Sequence, residues 1–112
     1  MKGAYLGELE ELILLSVAVL YDHAYGVTIV EEMDQRISRK ISLGAVYTVL
    51  MRLEEKGYVC SHEGAATQRR GGRRKKLYRL TNSGEEALRF AQDIRQRFWS
   101  AIPQAAFPSH SL

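Results

Sequence analysis

With 112 residues, the chain fits one domain and leaves little room for a second. Its composition, 46% apolar and 26% charged, is that of an ordinary soluble globular protein. The longest apolar run, Leu12 to Leu20, is too short to span a bilayer, and the single Cys60 excludes an internal disulfide.

Glu8, Glu10 and Glu11 stand where a secretory leader would carry its basic start. The expectation is an unprocessed, cytoplasmic protein with no membrane partner. The formal net charge of +3 hides an asymmetry. Residues 1–60 are net −3, residues 61–112 are net +6, and seven of the basic residues of the second half lie between Arg69 and Arg79. Such a run is either a solvated face or an electrostatic footprint for phosphates.

In chain order, residues 6–20 (LGELEELILLSVAVL) predict a helix with acidic residues in its first turn, where they suit the positive end of the macrodipole. Beyond Glu11 it is apolar nearly all round, which predicts burial on most sides. After the polar break YDH, a second helix is predicted over residues 25–37. Tyr25, Ile29, Met33 and Ile37 recur every four residues to form its inner stripe.

Ser42 is placed to cap a third helix, SLGAVYTVLMRLEEKG, that ends near Lys56 with Gly57 as its left-handed terminator. Leu43, Val46, Leu50 and Leu53 form the buried stripe, with Val49 on its flank. Gly44, Ala45, Thr48 and Arg52 lie roughly opposite. Residues 58–63 and 75–81 predict two strands, separated by an eleven-residue connection, 64–74, too long for a tight hairpin.

Thr81 is placed to cap a last helix over residues 82–102. Its apolar residues cover about half the circumference, more than packing against one small domain requires. The surplus calls for a partner, and a second copy of the chain is the simplest one. Leu88, Ala91, Ile94, Phe98, Trp99 and Ile102 are the candidate dimer interface. Pro103 and Pro108 end regular structure and leave residues 103–112 as a flexible tail.

The fold class is therefore mainly α with a small β-hairpin: a winged helix-turn-helix unit over 1–81, followed by a long C-terminal helix over 82–102 of the same compact unit. In this plan the second helix of the helix-turn-helix pair enters the major groove of double-stranded DNA. Ser42, Gly44 and Ala45 are small and allow close approach, and the helix N-terminus presents free N–H groups to phosphate. Thr48 and Arg52 reach for base edges or phosphates, and Tyr47 either bonds a phosphate through its hydroxyl or is a half-buried aromatic. Arg69, Arg70, Arg73, Arg74, Lys75 and Lys76 form the wing and grip phosphates or the minor groove.

Three stretches resemble the PadR family of bacterial transcriptional regulators: LEELILLSVAVLYDHAYGVTIVEEM, ISLGAVYTVLMRLEEKGYV and GGRRKKLYRLTNSGEEAL. Tyr25 and Gly26 match the opening of the second helix. Ser42, Gly44, Tyr47, Leu50, Arg52, Leu53, Glu54 and Gly57 match the recognition-helix pattern. Gly71, Gly72, Arg73, Tyr78, Leu80, Thr81 and Gly84 match the wing and the start of the last helix. Leu77 and Val27 depart from the pattern, standing where aromatics are common.

The resemblance implies a homodimeric repressor on a palindromic operator, released by a small aromatic or hydrophobic effector. The chain is similar to the short subgroup, with one C-terminal dimerisation helix. In some members a Trp on that helix stacks on flat aromatic ligands, which makes Trp99 a candidate effector contact beside its default role in interface packing.

Two other function classes stay open on the sequence. A winged-helix domain can serve as a protein-interaction adaptor. A metal-responsive repressor would use Cys60 and His62, with His23 and His110 as further soft ligands, but their spacing matches no zinc pattern, so no metal and no cofactor is expected. G-x-S-x-G, H-E-x-x-H and P-loop patterns are missing, and the chain reads as a non-enzyme.

Overall fold

The computed structural model describes residues 5–66 and 74–110. Six main elements follow in order: α1 (Glu8–Val19), α2 (Gly26–Ile37), α3 (Leu43–Glu55), β1 (Val59–Ala66), β2 (Arg74–Leu80) and α4 (Asn82–Ala101). The fold is a winged helix with a long C-terminal helix.

Local chemistry sets the helix ends. Glu10 folds back so that its carboxylate accepts the backbone N–H of Gly7 at 2.9 Å, which satisfies a donor left open before α1. Thr28 does the same for α2, its hydroxyl accepting from the Tyr25 N–H at 3.0 Å. The Ser42 hydroxyl caps α3 by accepting from the Ala45 N–H at 3.1 Å, and Thr81 caps α4 by accepting from the Gly84 N–H at 3.0 Å. Gly57 terminates α3 at φ 80°, in the left-handed region.

The three N-terminal helices close around one core. Ile13, Leu14 and Val17 of α1, Ile29 and Met33 of α2, and Val46, Leu50 and Leu53 of α3 supply most of it. Tyr58, Val59 and Tyr78 of the hairpin and Ala87 of α4 complete it. Among the described residues one polar side chain of the helical core is buried, Ser16, and it donates to the Leu12 carbonyl at 2.9 Å, so its hydroxyl is not left unpaired.

β1 and β2 pair antiparallel from Val59 opposite Leu80 to Glu63 opposite Lys76. A register shift between Glu63 and Ala66 then brings Ala66 opposite Arg74. The first strand thus runs past its expected end at Glu63, and the connection is shorter than the eleven residues read from the sequence. The Tyr78 N–H also donates to the Ala24 carbonyl at 2.8 Å, which ties β2 to the turn between α1 and α2.

Two helical stripes differ from expectation at their ends. Ile37, in the last turn of α2, and Leu43, in the first turn of α3, are exposed rather than buried. Both stand beyond the zone where three helices cover one another. On α1, Leu15 and Val19 are also exposed, because only the face carrying Ile13, Leu14 and Val17 meets the core.

α4 begins in close contact and then leaves the domain. A Cβ on Gly84 would stand 2.1 Å from the Tyr58 carbonyl oxygen, so only glycine permits this approach. Leu88, Phe90, Ala91 and Ile94 are partly buried, whereas Phe98 is 75% and Trp99 65% exposed. The helix is tied back by Arg95, whose guanidinium lies 2.6 Å from Glu11. Beyond it, two short 3-10 turns, Gln104–Ala106 and Pro108–His110, bring Phe107 against Trp99 with ring centroids 5.9 Å apart.

Candidate nucleic-acid interface

The outward face of α3 follows from its inward one. With Val46, Val49, Leu50 and Leu53 buried, helical periodicity turns Gly44, Thr48 and Arg52 to solvent. Nothing stands within 4 Å of where a Cβ on Gly44 would be, so the first turn is open to close approach. The Thr48 hydroxyl donates to the Gly44 carbonyl at 3.0 Å, which leaves its oxygen to accept from outside.

Tyr47 is 43% exposed, and its ring is seated over α2. A Cβ on Gly26 would come within 2.7 Å of the Tyr47 ring and hydroxyl, so the missing side chain at Gly26 is the seat. One side of the Tyr47 ring packs on α2 and the rest faces solvent, as a half-buried aromatic does.

The hairpin is fastened to the helices by basic residues along β2. Lys75 donates to the Tyr25 hydroxyl at 3.1 Å and lies 4.5 Å above the Tyr25 ring. Lys76 lies 4.0 Å from Glu54 of α3 and 5.6 Å above the Tyr78 ring. Arg79 pairs with Asp22 at 2.6 Å, next to the Tyr21 ring. The hydrogen bond and the charge of Asp22 raise the pKa of Arg79, which stays protonated. Arg69, Arg70 and Arg73 of the expected wing lie outside the described residues, as does the side chain of Arg74.

Behind this face, Lys56 pairs with Glu10 at 2.9 Å and joins the end of α3 to α1. Burial opposes ionisation of Glu10, but the Gly7 N–H and the Lys56 ammonium outweigh it, with Arg52 adding to them, and the pKa is lowered.

A second candidate surface is apolar. Of its expected members, Leu88 packs partly on its own core, Ala91 and Ile94 are partly buried, and Phe98, Trp99 and Ile102 are exposed. One groove adjoins Leu88, and a second, sharing Leu15 with it, lies between α1 and α2. The first, about 450 Å³, runs between α1 and α4 past Leu15, Leu88 and Gln92. The second, about 200 Å³, is lined by Leu12, Leu15, Val19 and Ile37. Leu15, Val19 and Ile37 escaped the sequence reading because an apolar residue at helical spacing is assigned to the core by default. The only sequence signal was the all-round apolarity of α1, which one small domain cannot bury.

Cys60 and His62 are exposed on β1, opposite Arg79 and Leu77. Among the described residues, no three His, Cys, Asp or Glu side chains come together to hold a metal ion, and no helix is long and apolar enough to cross a membrane.

Comparison with known proteins agrees with this geometry. The family model described as the transcriptional regulator PadR-like family matches residues 14–90. A PadR-like transcription factor from Bacteroides fragilis superposes with a TM-score of 0.68 at 25% identity, over 82% of this chain and 84% of that one. A PadR family transcriptional regulator from Eggerthella lenta gives a TM-score of 0.64 at 25% identity, over 83% and 80% of the two chains. Another from Clostridium difficile R20291 gives 0.54 at 28% identity, over 80% and 97%. None of the curated proteins compared matches the chain.

Proposed function

The chain belongs to the PadR-like family of transcriptional regulators, and from that premise we propose that it is a homodimeric repressor that grips a palindromic operator and releases it on binding a small aromatic or hydrophobic effector. That it is a DNA-binding regulator follows from family and fold; dimer, operator symmetry and effector are our reading.

The observation that carries the reading is the exposed end of α4. Phe98 and Trp99, both largely exposed, share a helix with the partly buried Ile94 and Ala91, so one apolar stripe continues off the domain into solvent. A second copy packing along α4 and the exposed Leu15 and Val19 of α1 would cover it. Large exposed apolar surfaces of this kind mark interaction sites. Such a dimer presents two α3 helices and two wings to one face of the duplex, which calls for half-sites about one DNA turn, ~34–36 Å, apart.

Within each half-site, Ser42, Gly44, Ala45, Tyr47, Thr48 and Arg52 face the major groove, and the wing from Arg69 to Lys76 grips phosphate. Trp99, beside Phe107, is the aromatic platform open to a flat effector, at the level where two copies of α4 would meet.

The test is binding to DNA from upstream of the chain's own gene across a salt series, together with sedimentation of the free protein. The reading requires a dimer and a specific complex whose affinity falls steeply with salt. A monomer, or no specific shift at any salt, overturns it.

A further inference from the structure

We propose that Glu54 is a specificity-determining residue: it competes with phosphate for the Lys76 ammonium of the wing and so limits binding to DNA of arbitrary sequence. The proposal rests on the reading of α3 and the wing as the DNA-binding surface.

Glu54 lies in the last turn of α3, the helix that carries Thr48 and Arg52. One carboxylate oxygen accepts from the Ser61 hydroxyl of β1 at 2.8 Å. The other lies 4.0 Å from the Lys76 ammonium of β2. Lys76 also stands opposite Glu63 across the hairpin ladder. The Glu54 carboxylate and the Tyr78 ring thus flank the Lys76 cation where β2 begins.

The ion pair by itself adds little to stability. The side chains of Lys76 and Glu54 are 58% and 40% exposed, and an exposed pair contributes only about 0–1 kcal/mol. A carboxylate on a phosphate-facing surface is also unfavourable for DNA binding. Its placement has a use if the surface is built to discriminate. Complexes with arbitrary DNA are held almost wholly by phosphate contacts, and each cation engaged there releases counterions. A lysine that must first leave Glu54 supplies less of that gain.

The operator complex depends in addition on the wing being registered against α3, and Glu54 links α3 to both strands through Ser61 and Lys76. Removing the carboxylate therefore strengthens arbitrary binding in full, while the operator gains less because the wing loses one tie to α3. Specificity is a difference between two affinities, and a repulsive element can set it.

The experiment compares wild type, Glu54→Gln and the double variant Glu54→Gln/Lys76→Ala on calf-thymus DNA and on a fragment from upstream of the chain's own gene, at several salt concentrations. Glu54→Ala backs up the single variant, and thermal unfolding confirms that each folds. The expected result is a rise in calf-thymus affinity of roughly 3- to 10-fold and a log–log salt slope steeper by about 0.9 per freed lysine. The ratio of upstream to calf-thymus affinity should fall at least about threefold, and the calf-thymus gain should vanish in the double variant. An unchanged calf-thymus affinity, an equal gain on both DNAs, or a gain that survives in the double variant overturns the proposal. Wild-type protein that binds neither DNA instead shows that the reading of α3 and the wing is wrong, and the proposal falls with it.

Discussion

Lys75 and Tyr25 are 50 residues apart in sequence, yet the Lys75 ammonium lies 3.1 Å from the Tyr25 hydroxyl and 4.5 Å above its ring. The contact joins β2 to the start of α2. With the Tyr78 N–H on the Ala24 carbonyl and Arg79 on Asp22, it fastens one side of the hairpin to the turn between α1 and α2. β2 is therefore oriented by the helices as well as by its pairing with β1.

Removing the Tyr25 ring should loosen the wing more than removing its hydroxyl. A cation over an aromatic face contributes about 0.5–1 kcal/mol at an exposed site, equivalent to roughly two- to fivefold in local opening. Tyr25→Phe should leave hydrogen exchange of the β2 amides near wild type. Tyr25→Leu should speed it by that factor and weaken DNA binding. Equal effects of the two variants would show that the hydroxyl, not the ring, carries the tie.

Gly84→Ala is expected to destabilise the fold. The added methyl would stand 2.1 Å from the Tyr58 carbonyl oxygen, so α4 must move off the hairpin. Overpacking of this kind costs about 1–3 kcal/mol, and thermal unfolding should show a fall in Tm of several degrees per kcal/mol. Gly44→Ala, which meets nothing within 4 Å, is the control: its Tm should not fall.

Phe98→Glu and Trp99→Glu should each lower dimerisation without unfolding the protomer, because both side chains are exposed on it. Analytical ultracentrifugation would show a shift toward monomer, and operator affinity would fall as the two half-sites uncouple. A variant that stays fully dimeric would move the interface off the end of α4.

Stability should depend on Glu10 at acid pH. Its folded pKa lies below the ordinary 4.5, so the unfolded state binds the proton more readily. The contribution is complete above about 4.5 and is lost as pH falls through the lower folded value. Glu10→Gln should be less stable than wild type at pH 7, and the difference should shrink as pH drops below that point. Urea unfolding at a series of pH values checks it, and a difference that stays constant across the series removes Glu10 as the titrating group.

What could be read before the fold was known followed the range of the interactions. Ser42, Gly57 and Thr81 were legible as helix boundaries because capping involves a side chain and backbone groups only a few residues away. Ile37 and Leu43 were misplaced because periodicity assigns a face without saying where the neighbouring helix ends. Ala66 lies in β1 because a register shift past Glu63 lets pairing continue, and such a shift has no local signature.

By itself the sequence determined the order of helices and strands, the capped start of α3, its small-residue outer face and the basic character of the hairpin. Each of these depends on residues close in the chain or on composition. Only the tertiary structure decided that Lys75, Lys76 and Arg79 are engaged by Tyr25, Glu54 and Asp22, and that Leu15 and Val19 face outward with the end of α4. Those facts join segments far apart in the chain; Arg79 and Asp22, for example, are separated by 57 residues. A charged side chain does not carry in its own neighbourhood any record of the partner that folding brings to it.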